Sequence, residues 1–498
     1  MHPCLSVDEI IRLLACELVA SKAKATAVSL ACCSKRLEGA VLDVLWETQD
    51  RLTPLLKCLP QEVWGEENGK FSFKRVTTKV EWACFRKHTR RMRKLKVDTS
   101  KDPVTLDTLL TLQLRAADEP FLPILKIIYC PRNSKTFIPF IPFFLSPKTT
   151  KIAIVFTPGM RILPIASALS RISRMSLNLE RINLHGLPRD PLVTEAVSEM
   201  LLACNRDSLR QFYVASPLTE DAREVLYNLP NLSDLSTVLQ GRTLLPPAAL
   251  PNLVSIQVEY GDDLDWLQGF CGTTLKKLES VWISSESEKL DNFLEEFESH
   301  AVAASAHNVL TLFVFSTSRS WTPNYSSLLS FKKLDTLEIE FSCDGGCFST
   351  VDDDVIATLV EAMPKLKTLK LGRGPCGIPT GATVNGLIGL AFRCPKLSEL
   401  RIHFQVSSLV AAATRATKLR PSDDQPAFRQ NVCALKVLEV GETPIPVKSV
   451  STVALFLLQI FPRIHTIKYD NPGWKQVAET IRDFRQLGTF ISREGGRK

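Results

Sequence analysis

Apolar residues along most of this chain return in one pattern, Leu-x-x-Leu-x-Leu, with Ile, Val or Phe substituting. It runs through Leu122-x-x-Leu125-x-Ile127, Leu179-x-x-Ile182-x-Leu184, Leu209-x-x-Phe212-x-Val214, Leu253-x-x-Ile256-x-Val258 and Leu278-x-x-Val281-x-Ile283. It continues through Leu334-x-x-Leu337-x-Ile339, Leu366-x-x-Leu369-x-Leu371, Leu397-x-x-Leu400-x-Ile402, Leu435-x-x-Leu438-x-Val440 and Ile464-x-x-Ile467-x-Tyr469. The wider gaps leave room for degenerate repeats around Ile154, Leu235 and Phe313. Self-similarity at steps of a few tens of residues marks a stacked repeat array. The last two apolar positions of each repeat alternate as a strand does, and stretches between repeats, such as Val355 to Met363 and Val450 to Phe461, carry helix-spaced apolar residues. Each repeat is therefore predicted as strand then helix. Proline ends the helix at Leu229-Pro230-Asn231-Leu232, Leu250-Pro251-Asn252-Leu253, Met363-Pro364-Lys365-Leu366, Cys394-Pro395-Lys396-Leu397 and Phe461-Pro462-Arg463-Ile464.

The first 64 residues follow a different rhythm. Ser6-Val7-Asp8-Glu9 has the form of a capping box, with Leu5 and Ile10 as its hydrophobic staple. A helix is predicted from there, with Ile10, Leu14 and Leu18 on one face. Ser21 to Cys33 and Ser34 to Trp46 predict two more short helices, the second presenting Leu37, Val41, Leu45 and Trp46 together. A piece of about 45 residues buries too little apolar surface to stand comfortably alone, so part of it is expected to meet another chain or the next segment.

Leu5, Asp8-Glu9-Ile10-Ile11, Leu30-Ala31-Cys32-Cys33-Ser34-Lys35, Val41-Leu42 and Leu45-Trp46 resemble an F-box in order and spacing, and the block through Pro60 is similar to the opening of many fungal F-box proteins. The family usually has Pro after its first Leu, where this chain has Ser6. The resemblance implies an all-α module over residues 1–60 that docks the adaptor subunit of a cullin-type (SCF) ubiquitin ligase. Leu5, Ile10, Leu14, Leu30, Val41, Leu45 and Trp46 are its contact candidates.

The repeats resemble an irregular leucine-rich-repeat horseshoe, an α/β fold with a curved parallel sheet inside and helices outside. That array is expected over residues 90–490, with a polar loop inserted near 413–431 and a basic connecting segment over 61–98. The Asn or Cys expected after the last strand residue is mostly missing, Gly261, Ser342, Gly374 and Gln405 standing there instead. Side chains alternating with the buried ones include Asn183, Glu340, Glu439 and Lys468, and Tyr213, Gln257, Glu338, Lys370, Arg401 and His403 are the candidates for holding a protein substrate. The implied function is that of a substrate-recognition subunit which does no chemistry itself; the alternative is a non-ligase repeat scaffold.

Charge adds a third reading. The formal charge of +8 concentrates between Lys70 and Lys101, where twelve Lys or Arg face only Glu81 and Asp98. The run Arg86 to Lys96 has the form of a nuclear-localisation or nucleic-acid patch, but Trp82 and Phe85 are its only aromatic neighbours, so it is read as solvated linker. No apolar run reaches the roughly 18–20 residues of a membrane span, and the start lacks a secretory pattern, so an intracellular protein, cytoplasmic or nuclear, is expected. The 14 cysteines are then expected as free thiols, with Cys16, Cys204 and Cys394 in apolar surroundings. Phe137 to Leu145 reads as core or strand.

No cofactor or metal is expected. The Gly372-Arg373-Gly374-Pro375-Cys376-Gly377 string lacks the following helix that a dinucleotide site needs. Cys343 and Cys347 lack a second ligand pair at zinc spacing, and hydrolase and Walker motifs do not occur.

Overall fold

A strand with apolar residues at alternate positions must turn that face toward cover, and the chain meets this demand strand by strand. The structure, a computed structural model, describes residues 7–98, 104–116, 119–132, 137–175, 177–238, 249–260, 277–285, 309–316, 325–341, 351–372, 381–407, 433–441 and 443–495. They fall into two compact units, Met1–Val238 and Leu239–Lys498.

The first unit opens with three helices, α1 (Asp8–Ala20), α2 (Lys24–Cys33) and α3 (Lys35–Glu47). The first starts one residue later than a Ser6 cap predicts: Val7 is the N-cap and makes no side-chain cap hydrogen bond, and Leu5 and Ser6 lie outside the described residues. Ser34 does cap α3, accepting from the Leu37 backbone N–H at 3.3 Å. After β1 (Thr48–Gln49) and α4 (Thr53–Leu56) comes the antiparallel hairpin β2 (Trp64–Glu67) and β3 (Lys70–Phe73). Helix α5 (Lys79–Thr89) follows, begun by a full capping box between Thr78 and Glu81. The connecting segment 61–98 is thus folded, and Arg86 to Lys96 within it runs from α5 into β4 (Lys94–Asp98), a correction to the reading of that run as solvated linker. Its signals were present: Thr78 and Glu81 stand at capping-box spacing, and the last strand, β4, alternates polar and apolar.

Strand β1 pairs in parallel with β4, and the sheet extends through β5 (Ile127–Arg132), β6 (Lys151–Val155), β7 (Arg181–His185), β8 (Gln211–Val214) and β9 (Asp234–Thr237). Between these strands lie α6 (Leu106–Arg115), α7 (Ile141–Phe144), α8 (Ile162–Ser173), α9 (Pro191–Leu202) and α10 (Glu220–Tyr227). Phe137 to Leu145 is core, as expected, but it forms a 3-10 turn running into α7 rather than a strand. One repeat is read out of register: Ile128 and Cys130 are the buried residues of β5, and Ile127 is only half-buried.

In the second unit β10 (Ser255–Tyr260), β11 (Ser280–Ser285), β12 (Thr311–Ser316), β13 (Thr336–Phe341), β14 (Thr368–Leu371), β15 (Glu399–Arg401), β16 (Val437–Gly441) and β17 (Thr466–Tyr469) pair in chain order, all parallel. Its described helices include α11 (Asp353–Ala362), α12 (Val384–Arg393), α13 (Val450–Ile460) and α14 (Gly473–Gly495). Three of them stop at Met363, Cys394 and Phe461, each just before the proline that cannot continue a helix. Sequential parallel order with right-handed crossovers puts the helices of a unit on one face of its sheet. Leu337, Leu369, Leu400 and Leu438 are fully buried beneath that cover, while their strand neighbours stay half-buried on the other face. The coarse expectation therefore holds: an α/β chain of strand and helix repeats. The polar loop of 413–431 lies outside the described residues.

Neighbouring repeat helices meet closely. A Cβ on Gly386 of α12 would stand 2.7 Å from both Asp353 Oδ1 and Ile356 Cδ1. Asp353 Oδ1 accepts from the backbone N–H of Thr383 at 2.7 Å and of Gly386 at 3.1 Å, tying α11 to the start of α12. Gly389, one turn on, has open space around its Cβ direction. Alanine is worth about 0.5–1 kcal/mol over glycine within a helix, but overpacking costs about 1–3 kcal/mol. Gly386→Ala is therefore expected to destabilise, and Gly389→Ala to stabilise, in urea unfolding of the full chain.

Candidate functional sites

Two surfaces draw on the residues that the sequence singled out. The first is on the N-terminal helices. Their core is thin: Ile11, Ala15, Ala27, Ala31, Leu37, Val41 and Val44 form it, with Leu18, Val19, Leu30 and Leu45 packed partly against it. The inward face of α1 is that of Ile11 and Ala15, one position round from the predicted Ile10 and Leu14 stripe. Small side chains let the helices approach closely but leave leucines with nowhere to go. Leu14 is 44% exposed, Leu13 69% and Val28 50%.

The docking candidates thus separate. Val41 is 0% exposed, a correction: it is wholly core and presents nothing to a partner. Leu30 and Leu45 are shared between core and surface, Ile10 is half-buried, and Leu14 is free. Trp46 lies against His88 of α5, ring centroids 4.9 Å apart. Arg91 ties the same segment to α3, donating to the Gly39 carbonyl at 2.8 Å and to the Asp43 carboxylate. Sequence reasoning passed over Leu13 and Val28 because neither belongs to the stripe it followed.

The second surface is the open face of the second unit's sheet. Because the strands are in register, the residue that follows the first buried apolar position of each strand forms one row: Gln257, Trp282, Phe313, Glu338, Lys370, Arg401, Glu439 and Lys468. Trp282 and Phe313 lie 4.6 Å apart between ring centroids, and Trp282 is 39% exposed. Both were missed, although reading the middle position of each Leu-x-Leu finds them at once.

Beside these rings stands a network of ion pairs. Lys370 Nζ is 2.9 Å from Glu338 and 3.6 Å from Glu399. Arg401 holds Glu340 and, at 3.5 Å, Glu439; Lys468 is 3.3 Å from Glu399 and 3.9 Å from Glu439. Burial alone would lower the Lys370 pKa, but the hydrogen bond that Lys370 donates to Glu338 and the charges of Glu338 and Glu399 outweigh it, and the ammonium stands above its ordinary value. Five strands, β13 to β17, are joined in this way across their open face. His403, just beyond β15, is half-buried. Burial and then the Arg401 charge lower its pKa, against a smaller opposing pull from Asp470 and Glu439.

Tyr213 belongs to the first unit's open face and does not join this network. Burial, and then the charge and hydrogen bond of Asp234, push its hydroxyl up to about 12. The basic run is partly spent internally. Arg75 pairs with Glu81, whose carboxyl that guanidinium and the Thr78 N–H hold down to about 2. Arg86 is buried, giving its guanidinium to the carbonyls of Pro120 and Phe121, both at 2.8 Å, and to Glu119. The described cysteines are free thiols, but Cys16 is exposed rather than set in apolar surroundings. Cys204 and Cys394 fit better, burial pushing both thiols up to about 12. Cys343, Cys347 and the glycine string beyond Gly372 lie outside the described residues, and no helix among the described residues is long and apolar enough to cross a membrane.

Arg401 and Glu340 are expected to couple by about 1–3 kcal/mol in a double-mutant cycle of Arg401→Met and Glu340→Gln, as for contacting residues in one network. His403 sets a pH dependence of known sign. Its folded pKa is depressed, so its contribution is present above the unfolded value of about 6.5 and is lost as pH falls below that toward the folded one. Chemical denaturation between pH 7.5 and pH 5 is expected to show stability falling with acid, with a shallower slope for His403→Gln.

No family model and no curated protein matches the chain. Among solved structures, it is similar to a chain of the crystal structure of the mouse RP105/MD-1 complex, with 11% sequence identity, a TM-score of 0.31, and 78% of this chain and 70% of that one covered.

Proposed function

We propose that this protein is the substrate-recognition subunit of a cullin-type ubiquitin ligase. In this reading the N-terminal helices dock the ligase's adaptor, and an open sheet face holds a protein substrate. The observation that carries it is the exposure of Leu13, Leu14 and Val28 on a three-helix module whose sequence resembles an F-box. Full burial of such a side chain is worth about 1.5–3 kcal/mol, so leaving three of them in water suits a surface that a partner covers. The chain would do no chemistry of its own. It would hold substrate lysines near the ubiquitin-carrying enzyme, raising their effective concentration.

A second reading, a repeat scaffold outside any ligase, draws on a different observation. Trp46 against His88 and Arg91 on Asp43 fasten the module to α5, as an end cap would be fastened. Co-expression with the ligase's adaptor separates the two. Wild type is expected to co-purify with the adaptor, and Leu13→Asp with Leu14→Asp to lose at least about tenfold in capture while melting at the wild-type temperature, because both side chains are exposed. A wild-type chain that never captures the adaptor would leave the scaffold reading.

A further inference from the structure

The two open faces differ in how their charges are answered. In the second unit Lys370, Arg401 and Lys468 each lie against glutamates. On the first unit's open face, among the described residues, the cations of β4 to β7 are answered far less: Lys151 alone of Lys94, Lys96, Lys151 and Arg181 has a carboxylate within 4.0 Å. Register aligns Lys94, Ile127, Lys151 and Arg181 across β4 to β7, and Lys96 with Tyr129 in the next row. Lys94, Lys96 and Arg181 are exposed. Lys96 Nζ sits 5.4 Å from the centre of the Tyr129 ring, and Lys151 has Glu180 only at 4.0 Å.

Lys151 and Arg181 are direct cross-strand partners, an arrangement that is destabilising when both carry the same charge. The one carboxylate among the described residues of β4 to β7 is Asp98, buried at the end of β4 opposite Arg132 beyond a register shift; the other positions on that alternation include Lys94, Lys96, Ile127, Tyr129, Lys151, Ala153, Val155, Arg181, Asn183 and His185. The strip ends where β9 brings Asp234, which is taken by Gln211 at 3.0 Å and by Ser233.

We infer that this strip is a docking site for an extended acidic segment of a protein partner, whose carboxylates supply the missing counter-charge. The inference rests on the reading of an open sheet face as the substrate-holding surface and names the chemistry of what it holds. Four strands at about 4.8 Å spacing span about 14 Å, the length of four or five extended residues at about 3.3 Å each. Nucleic acid fits less well. Its binding sites pair cationic grooves with aromatic platforms, and the one tyrosine in these rows already lies beneath Lys96.

The test is fluorescence anisotropy on the full chain with a labelled octaglutamate probe, beside octalysine and a single-stranded oligodeoxynucleotide. Octaglutamate is expected to bind saturably and more weakly as salt rises, and octalysine not at all. The triple variant Lys94→Gln, Lys96→Gln, Arg181→Gln is expected to bind it at least about tenfold more weakly. A control triple, Lys365→Gln, Lys396→Gln, Lys475→Gln, removes the same charge elsewhere and is expected to bind as wild type does. Lys151→Gln is expected to weaken binding while raising the melting temperature, whereas a merely structural lysine would lower it. Equal loss in both triples would reduce the effect to net charge, and tighter binding of the oligonucleotide would make the strip a nucleic-acid site; either result overturns the inference. If octaglutamate fails while the adaptor still co-purifies, the strip falls and the ligase reading stands. If octaglutamate binds and the adaptor does not, the strip stands and the ligase reading falls.

Discussion

One-sided cover is the constraint on which the rest of this structure depends. Within the main sheet of each unit, strands are laid down in chain order and in parallel, and the right-handed sense that such crossovers take sends the connecting helices to the same face. The alternation along each strand then divides the side chains. Ile182, Phe212, Leu369 and Leu400 go beneath the helices and are fully buried, and the residues between them are left on the open face. Cross-strand hydrogen bonds hold successive repeats in register, so a position repeated in sequence becomes a row in space. A slip of one residue would exchange core and surface along a whole strand.

Those rows give the open faces their character. In the second unit the row passes from Trp282 and Phe313 into a network where every cation meets carboxylates. Such a network is satisfied from within, and what it adds is rigidity across five strands more than attraction for a charged partner. In the first unit like charges stand side by side, and the local rule for a stable sheet is broken. Departures of that kind are expected where a surface serves recognition rather than folding. The N-terminal helices show the same tension in apolar form: a core built partly of alanine holds the helices together, and leucines remain outside it.

The amino-acid sequence by itself determined the strand and helix repeats, because Leu-x-x-Leu-x-Leu specifies a strand face and proline specifies where a helix stops. It also determined the three N-terminal helices and the open-face placement of Glu338, Lys370, Arg401 and His403, since period-two alternation leaves little choice. Only the tertiary structure decided which helical face turns inward. Ile11 and Ala15, rather than Ile10 and Leu14, meet the other two helices, because close packing there selects small side chains that a count of leucines overlooks. Val41 turns into the core and Leu13 is left on the surface for the same reason. The fate of each basic residue was also decided in three dimensions. Arg86 finds its partners 33 to 35 residues away and Arg91 finds its own 48 and 52 residues back, while Lys94 and Lys96, a few positions on in the same run, emerge on a sheet face. Charge is counted along the chain, but its partner is fixed by long-range packing, and no local pattern carries that information.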